Sequence, residues 1–135
     1  MKVLQVHNRY RSDAPSGDNR VVDAEAELLR GGGHTVELFG RNSDDLPAGA
    51  AGAALAAAAA VWNPRAAAQL FARIAQLRPD VVHLHNTFPM LSPAVLWAAR
   101  QSGAPVVMTL HNYRPFCARS TVYRDGEICT LCLDR

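Results

Sequence analysis

A strong excess of either charge is missing from this chain, in which fourteen Lys and Arg stand against twelve Asp and Glu for a net charge of +2. Proteins that grip nucleic acid through its phosphates need a concentrated basic surface, so nucleic acid is set aside as a partner class. A secretory leader is missing too. Such a leader needs a basic start, a compact apolar run and a small-residue cleavage site, whereas Met1-Lys2-Val3-Leu4-Gln5-Val6-His7 turns polar within a few residues. The expected location is therefore the cytoplasm. No apolar run reaches the roughly 20 residues of a membrane span. The nearest approach, Ala48 to Val61, lies between Pro47 and Pro64 and consists of Ala and Gly rather than Leu, Ile and Phe. It reads as a peripheral helix or a mobile surface segment, and any membrane association as a peripheral contact with the inner face. Cysteine is scarce: Cys117, Cys129 and Cys132 crowd into the end of the chain and leave an odd number. In a reducing compartment this argues against a disulfide framework and leaves a metal site or ordinary thiols. The glycine fingerprints of dinucleotide and P-loop sites, G-x-G-x-x-G and Gly-Lys-Ser/Thr, are also absent.

What is present is a regular alternation. Lys2 to His7 is a short apolar run that feeds a polar loop, the pattern of a buried strand. Asp18 to Arg30 carries Val21, Val22, Ala26 and Leu29 at helical spacing, with Ser16 or Asp18 as N-cap and Gly31-Gly32-Gly33 as the stop. His34 to Phe39 is the second strand. Pro64 starts a helix with an apolar stripe of Ala68, Phe71, Ala72, Ala75 and Leu77, ended by Pro79. Asp80 to His85 is a third strand, Ser92 or Pro93 opens a helix carrying Val95, Leu96, Trp97 and Ala99, and Pro105 to His111 is a fourth strand. Continuous Val and Leu runs indicate strands covered on both faces. The expected fold is therefore α/β, a Rossmann-like doubly wound parallel sheet over residues 1–115, followed by an irregular Cys-bearing tail over residues 116–135.

In such sheets ligands bind beyond the carboxyl ends of the strands. Three strand ends deliver a His followed by Asn there: His7-Asn8-Arg9, His85-Asn86 and His111-Asn112-Tyr113-Arg114. A single such His is more often a satisfied structural residue than a ligand. Three on one edge shift the balance toward a site. Ser16-Gly17-Asp18-Asn19 stands just before a helix, where a glycine lets backbone N–H groups approach an anion, or simply makes a capped turn.

The strand Lys-Val-Leu-x-Val, the glycine loop before a helix, the Gly-His-x-Val second strand, Asp80-Val-Val-His-Leu-His85 and Val107-Met-Thr-Leu-His-Asn112 together resemble the N-terminal domain of glycosyltransferase family 4, over essentially the whole chain. The resemblance implies a two-domain GT-B enzyme that moves a sugar from a nucleotide-sugar donor to a carbohydrate or lipid-linked acceptor with retention, with no cofactor or catalytic metal required. It places Gly17 against the donor diphosphate with Ser16 and Asn19 beside it, and His85 and His111 in the reaction cleft. Ser16 departs from the family's pair of glycines. Asn86 and Asn112 join the candidate binding residues, and Arg9 or Arg20 would stabilise the charge of the leaving diphosphate. The family's second, donor-side half has no counterpart in these residues, so the chain alone is expected to be inactive. In the tail, Cys117 and Cys129-Thr-Leu-Cys132 offer three thiolates for a structural zinc, with reduced thiols as the other reading. A nucleotide-dependent oxidoreductase is disfavoured by the missing fingerprint, and a receiver-like module by the absence of acids after the first strand. A non-catalytic α/β sugar- or nucleotide-binding module is the alternative.

Overall fold

In the computed structural model, which describes residues 1–13 and 15–133, the first strand β1 (Lys2–Arg9) is buried without interruption from Val3 to Asn8. It is followed by α1 (Gly17–Gly31), β2 (Thr35–Asn42), a 3-10 turn (Ser43–Asp45), α2 (Gly49–Val61), α3 (Pro64–Leu77), β3 (Val81–Leu84), α4 (Ala94–Gln101), β4 (Val106–Met108) and the hairpin strands β5 (Tyr123–Arg124) and β6 (Glu127–Ile128). β2, β1, β3 and β4 form a parallel sheet in that spatial order. The α/β, Rossmann-like reading is thus observed. Because β1 lies between β2 and β3, the chain leaves it toward one side and returns on the other, and the topological switch falls at the carboxyl ends of β1 and β3.

Alternation along the strands makes the two faces of the sheet unlike. Leu4, Val6, Val82 and Leu84 pack on Leu70 and Ile74 of α3 and on Val95 and Ala99 of α4 in the main core. Fully burying each such Leu or Val contributes about 1.5–3 kcal/mol, so this face carries most of the fold's stability. The opposite face has a much smaller apolar cluster, Val3, Ala26 and Val36 with Leu29 and Val81 at its edge, beneath α1. Farther along that face the strands turn polar, with Gln5 and His7 in β1, His83 in β3 and His85 just after it, and Asn19 and Glu25 of α1 meet His7 and His83. The helix is held there by polar pairs instead of by apolar area.

Several boundaries and faces differ from the sequence reading. α3 begins at Pro64, capped by the Asn63 side chain, but it buries Ala66, Ala67, Leu70 and Ile74 while Ala68, Phe71, Ala72 and Ala75 face outward. Two stripes share helical spacing in this Ala-rich segment, and the Leu70/Ile74 stripe is the one that meets the sheet. The fourth strand is only Val106–Met108, although Thr109 N–H still donates to Leu84 O at 2.9 Å, and His111 stands beyond the ladder. The Ala-rich run is the helix α2, and Gly52 is its buried residue. A Cβ on Gly52 would collide with the Pro47 carbonyl, so glycine is what lets α2 sit against the preceding loop. The tail, expected to be irregular, contains the β5–β6 hairpin closed by Asp125-Gly126, both at positive φ (53° and 89°). Asp-Gly is a strong two-residue hairpin signal. Tyr113 N–H donates to Ser120 O at 3.1 Å, joining the loop after β4 to the start of the tail.

Candidate functional site

Three strand ends and the first turn of α1 converge at one crevice. Ser16 caps α1, its hydroxyl accepting from Asn19 N–H at 3.2 Å. Gly17 opens the helix, and nothing among the described residues requires it to be glycine: its φ is not left-handed and a Cβ there would meet none of their atoms within 4 Å. The missing side chain leaves the helix N-terminus open toward a cleft of about 670 Å3 whose walls include Tyr10, Arg11, Ser16, Gly17, Asp18, Phe88 and Asn112. A second cleft of about 220 Å3 is lined by His85, Asn86, Thr87, Thr109, His111, Asn112 and Arg114 among others. Phe88 and Asn112 border both, so the two are lobes of one groove along the sheet's carboxyl edge.

Four of the five histidines, His7, His83, His85 and His111, form a connected layer between this groove and α1. His85 Nδ1 and His111 Nε2 are 3.0 Å apart and share one proton-bridged contact, with the rings stacked at 5.3 Å between centroids. His111 Nδ1 lies 4.0 Å from the Asp18 carboxylate. His7 Nε2 meets Asn19 Oδ1 at 2.9 Å, and that same oxygen accepts from Tyr10 N–H at 3.3 Å. His83 bridges Glu25, at 2.7 Å from Nδ1, and Thr109, at 2.8 Å from Nε2.

Burial, followed by the neighbouring His83, His111 and His7, pushes His85 down from 6.5 to about 3. Burial also lowers His7, against the opposing hydrogen bond from Asn19. Both rings are neutral in the folded protein at neutral pH. The unfolded chain binds their protons from about pH 6.5 downward while the folded chain does not, so stability is full above that value and is lost as the pH falls. Between about pH 6.5 and 5, above the range in which most carboxylates titrate, His85 should remove stability at up to about 1.4 kcal/mol per pH unit. Chemical denaturation across this window measures the slope, and His85→Gln should flatten it. An identical slope in that variant would contradict the assignment.

The remaining candidates divide by what already occupies them. Arg9 is paired with Asp23 on the surface of α1, a contact that lowers the Asp23 carboxyl by hydrogen bonding. Arg20 is exposed. Among the described residues, the cations that line the groove are Arg11 and Arg114, the second stacked over the Phe88 ring at 4.1 Å. The Asn86 amide donates to Asn8 O and Phe88 O and accepts from Phe88 N–H, so it ties down its own loop. Asn112 Oδ1 accepts from Arg114 N–H at 3.0 Å and shapes the next turn. Sequence reasoning missed Asp18, Glu25, His83 and Thr109 as members of the layer. Period-two alternation puts His83 on the same face as His85, and Asp18, Val22, Glu25 and Ala26 fall on one stripe of α1, so the signal was available.

Cys117 is buried in a turn whose backbone N–H groups, Val122 first and then those of Arg119, Thr121 and Ser120, surround its sulfur and hold the thiol below its usual value. The hairpin brings Cys129 back, its N–H donating to Val122 O at 2.9 Å, while Cys132 is exposed. Among the described residues the three sulfurs do not converge on one point; the group whose metal-capable atoms do is Glu25, His83 and His85.

The family model for glycosyltransferase family 4 matches residues 15–127. The chain belongs to glycosyltransferase family 4. It is thus a domain of sugar-transferring enzymes, whose substrates are in general a sugar donor and a sugar acceptor. The matched span contains Gly17, His85 and His111. No curated protein and no solved structure matches the chain. Among the described residues, no helix is long and apolar enough to cross a membrane.

Proposed function

We propose that this chain forms the acceptor-side, N-terminal half of a two-domain GT-B hexosyltransferase, which takes a sugar from a nucleotide-sugar donor and gives it, with retention, to a carbohydrate or lipid-linked acceptor in polysaccharide or glycolipid synthesis. The observation that carries this reading is that the open N-terminus of α1 at Gly17 and the His85–His111 pair border one groove in a family 4 chain. The leaving nucleoside diphosphate gains charge as the glycosidic bond breaks, and free backbone N–H groups at Gly17 and Asp18 with Arg11 or Arg114 nearby offset that charge. Asp18, as a carboxylate in the same turn, opposes an anion. Its nearest ring, His111, is placed to share that charge while its other face lines the groove. A neutral His85 against His111 fixes the ring that meets a sugar hydroxyl. The reaction as read needs no metal; the enzyme would work in the cytoplasm, in peripheral contact with the membrane where the acceptor is lipid-linked.

A structural zinc at Cys117, Cys129 and Cys132 is supported by the N–H groups that favour a thiolate at Cys117, and it would require the three sulfurs, which stand apart here, to close on one ion. Such an ion would pin the loop after the fourth strand.

Retention is checked on the product. The assembled enzyme should yield a glycoside whose anomeric configuration, read from its proton coupling, equals that of the donor. An inverted product, or binding of sugar with no transfer at all, would overturn the reading.

A further inference from the structure

We propose that Glu25, His83 and His85 form a binding site for a divalent transition metal of the zinc type, between α1 and the sheet. His83 and His85 are two residues apart at the end of β3, so both project to the α1 face, where Glu25 lies over them. Glu25 Oε1 is 2.7 Å from His83 Nδ1 and Oε2 is 3.9 Å from His85 Nε2, and the three donor atoms lie within 4.8 Å of one another. Tetrahedral zinc with ligand bonds near 2.1 Å separates its ligand atoms by roughly 3.4 Å. One gap has to open and another to close, the measured pairs by less than an ångström each.

The outer nitrogens of both rings are already held. His83 Nε2 meets Thr109 Oγ1 at 2.8 Å and His85 Nδ1 meets His111 Nε2 at 3.0 Å, the arrangement in which a second partner fixes the tautomer and aims the free nitrogen at a metal. An independent observation points to the same place. Among the described residues, His85 Nε2 is completely buried and has no hydrogen-bond partner, a costly arrangement that a metal bond would relieve. Burial keeps that imidazole neutral, the form that ligates. Two imidazoles and one carboxylate suit zinc, cobalt and their neighbours better than magnesium or calcium, and leave a fourth position for water. Bound at Nε2, the ion would force the His85 proton onto Nδ1 and so make His85 the donor to His111. It would also tie α1 to the polar end of the sheet, where apolar area is small.

The test is titration of the metal-stripped chain with Co2+, followed by its visible spectrum, with Zn2+ as competitor. A chain carrying Cys117→Ser, Cys129→Ser and Cys132→Ser should bind one equivalent with ligand-field bands and no thiolate charge-transfer band, and its melting temperature should rise with metal. Glu25→Gln should weaken binding by about tenfold or more, and His83→Gln should abolish it. Should the cysteine-free chain not fold, the same His83→Gln change in the otherwise native chain should lower the bound Co2+ by one equivalent. Stoichiometry and spectrum unchanged by His83→Gln in a folded protein would overturn the proposal.

Discussion

Replacing His111 by Ala should lower turnover of the proposed two-domain enzyme by about a hundredfold or more, the scale of a lost transition-state group. His111 stands past the end of β4, where its ring lines the groove on one side and contacts His85 and Asp18 on the other. Truncation therefore has a second consequence. It leaves His85 Nδ1, in a fully buried ring, without its partner, at a cost of roughly 1–3 kcal/mol. The two effects separate with His111→Gln, which can restore a hydrogen bond to His85 but supplies no imidazole. Turnover per folded molecule should be low in both variants, while the melting temperature should recover part of its loss in the Gln variant. A destabilised His111→Ala protein with normal turnover per folded molecule would make His111 structural.

Asn8→Ala should be the more damaging change to the fold. Asn8 is fully buried, and its amide donates to Arg9 O and to Ser43 Oγ, both at 3.0 Å, while its Oδ1 accepts from Met90 N–H at 3.1 Å. Its backbone pairs with Asn86 from both ends, N–H to Asn86 O at 2.7 Å and O from Asn86 Nδ2 at 3.1 Å. One side chain thus joins the end of β1 to the turn after β2 and to the loop after β3. Alanine removes three contacts and strands their buried partners, a loss of about 2–4 kcal/mol. For a chain of this size that corresponds to a fall in melting temperature of roughly 10 °C. A shift of only one or two degrees in calorimetry would show that the three loops hold their places without it.

The sheet was legible because its strands are short apolar bursts between glycines and prolines, and the order of elements follows from their alternation with helical patterns. The convergence of His85 and His111 with Gly17 was also legible, since parallel strands must end on one edge. The residues beneath them were harder to read. Glu25 and Asp18 look like ordinary solvated charges on a helix, and only the pairing of α1 with the polar half of the sheet reveals that Glu25 meets His83. Phe71 illustrates the converse, since its place in an apolar stripe suggested the core while Leu70 and Ile74 took it. In an Ala-rich helix, the phase of the buried stripe is set by the tertiary partner and not by local pattern. Asn8 resembled His7 and Arg9 as a polar group delivered to the edge, yet alternation turns it to the opposite side, where it became a structural tie.

On the proposed function, the groove between the N-terminus of α1 and His111 holds the reacting sugar and the donor diphosphate. The most direct measurement is the side-chain NMR spectrum of the enzyme's labelled histidines during titration with nucleotide-sugar donor and acceptor. His34 precedes β2 at the opposite, amino end of the sheet and serves as an internal reference. The His111 and His85 resonances should move together on binding, along with the Gly17 and Asp18 amides, while His34 stays still. Saturable substrate binding that leaves His85 and His111 where they were would contradict it.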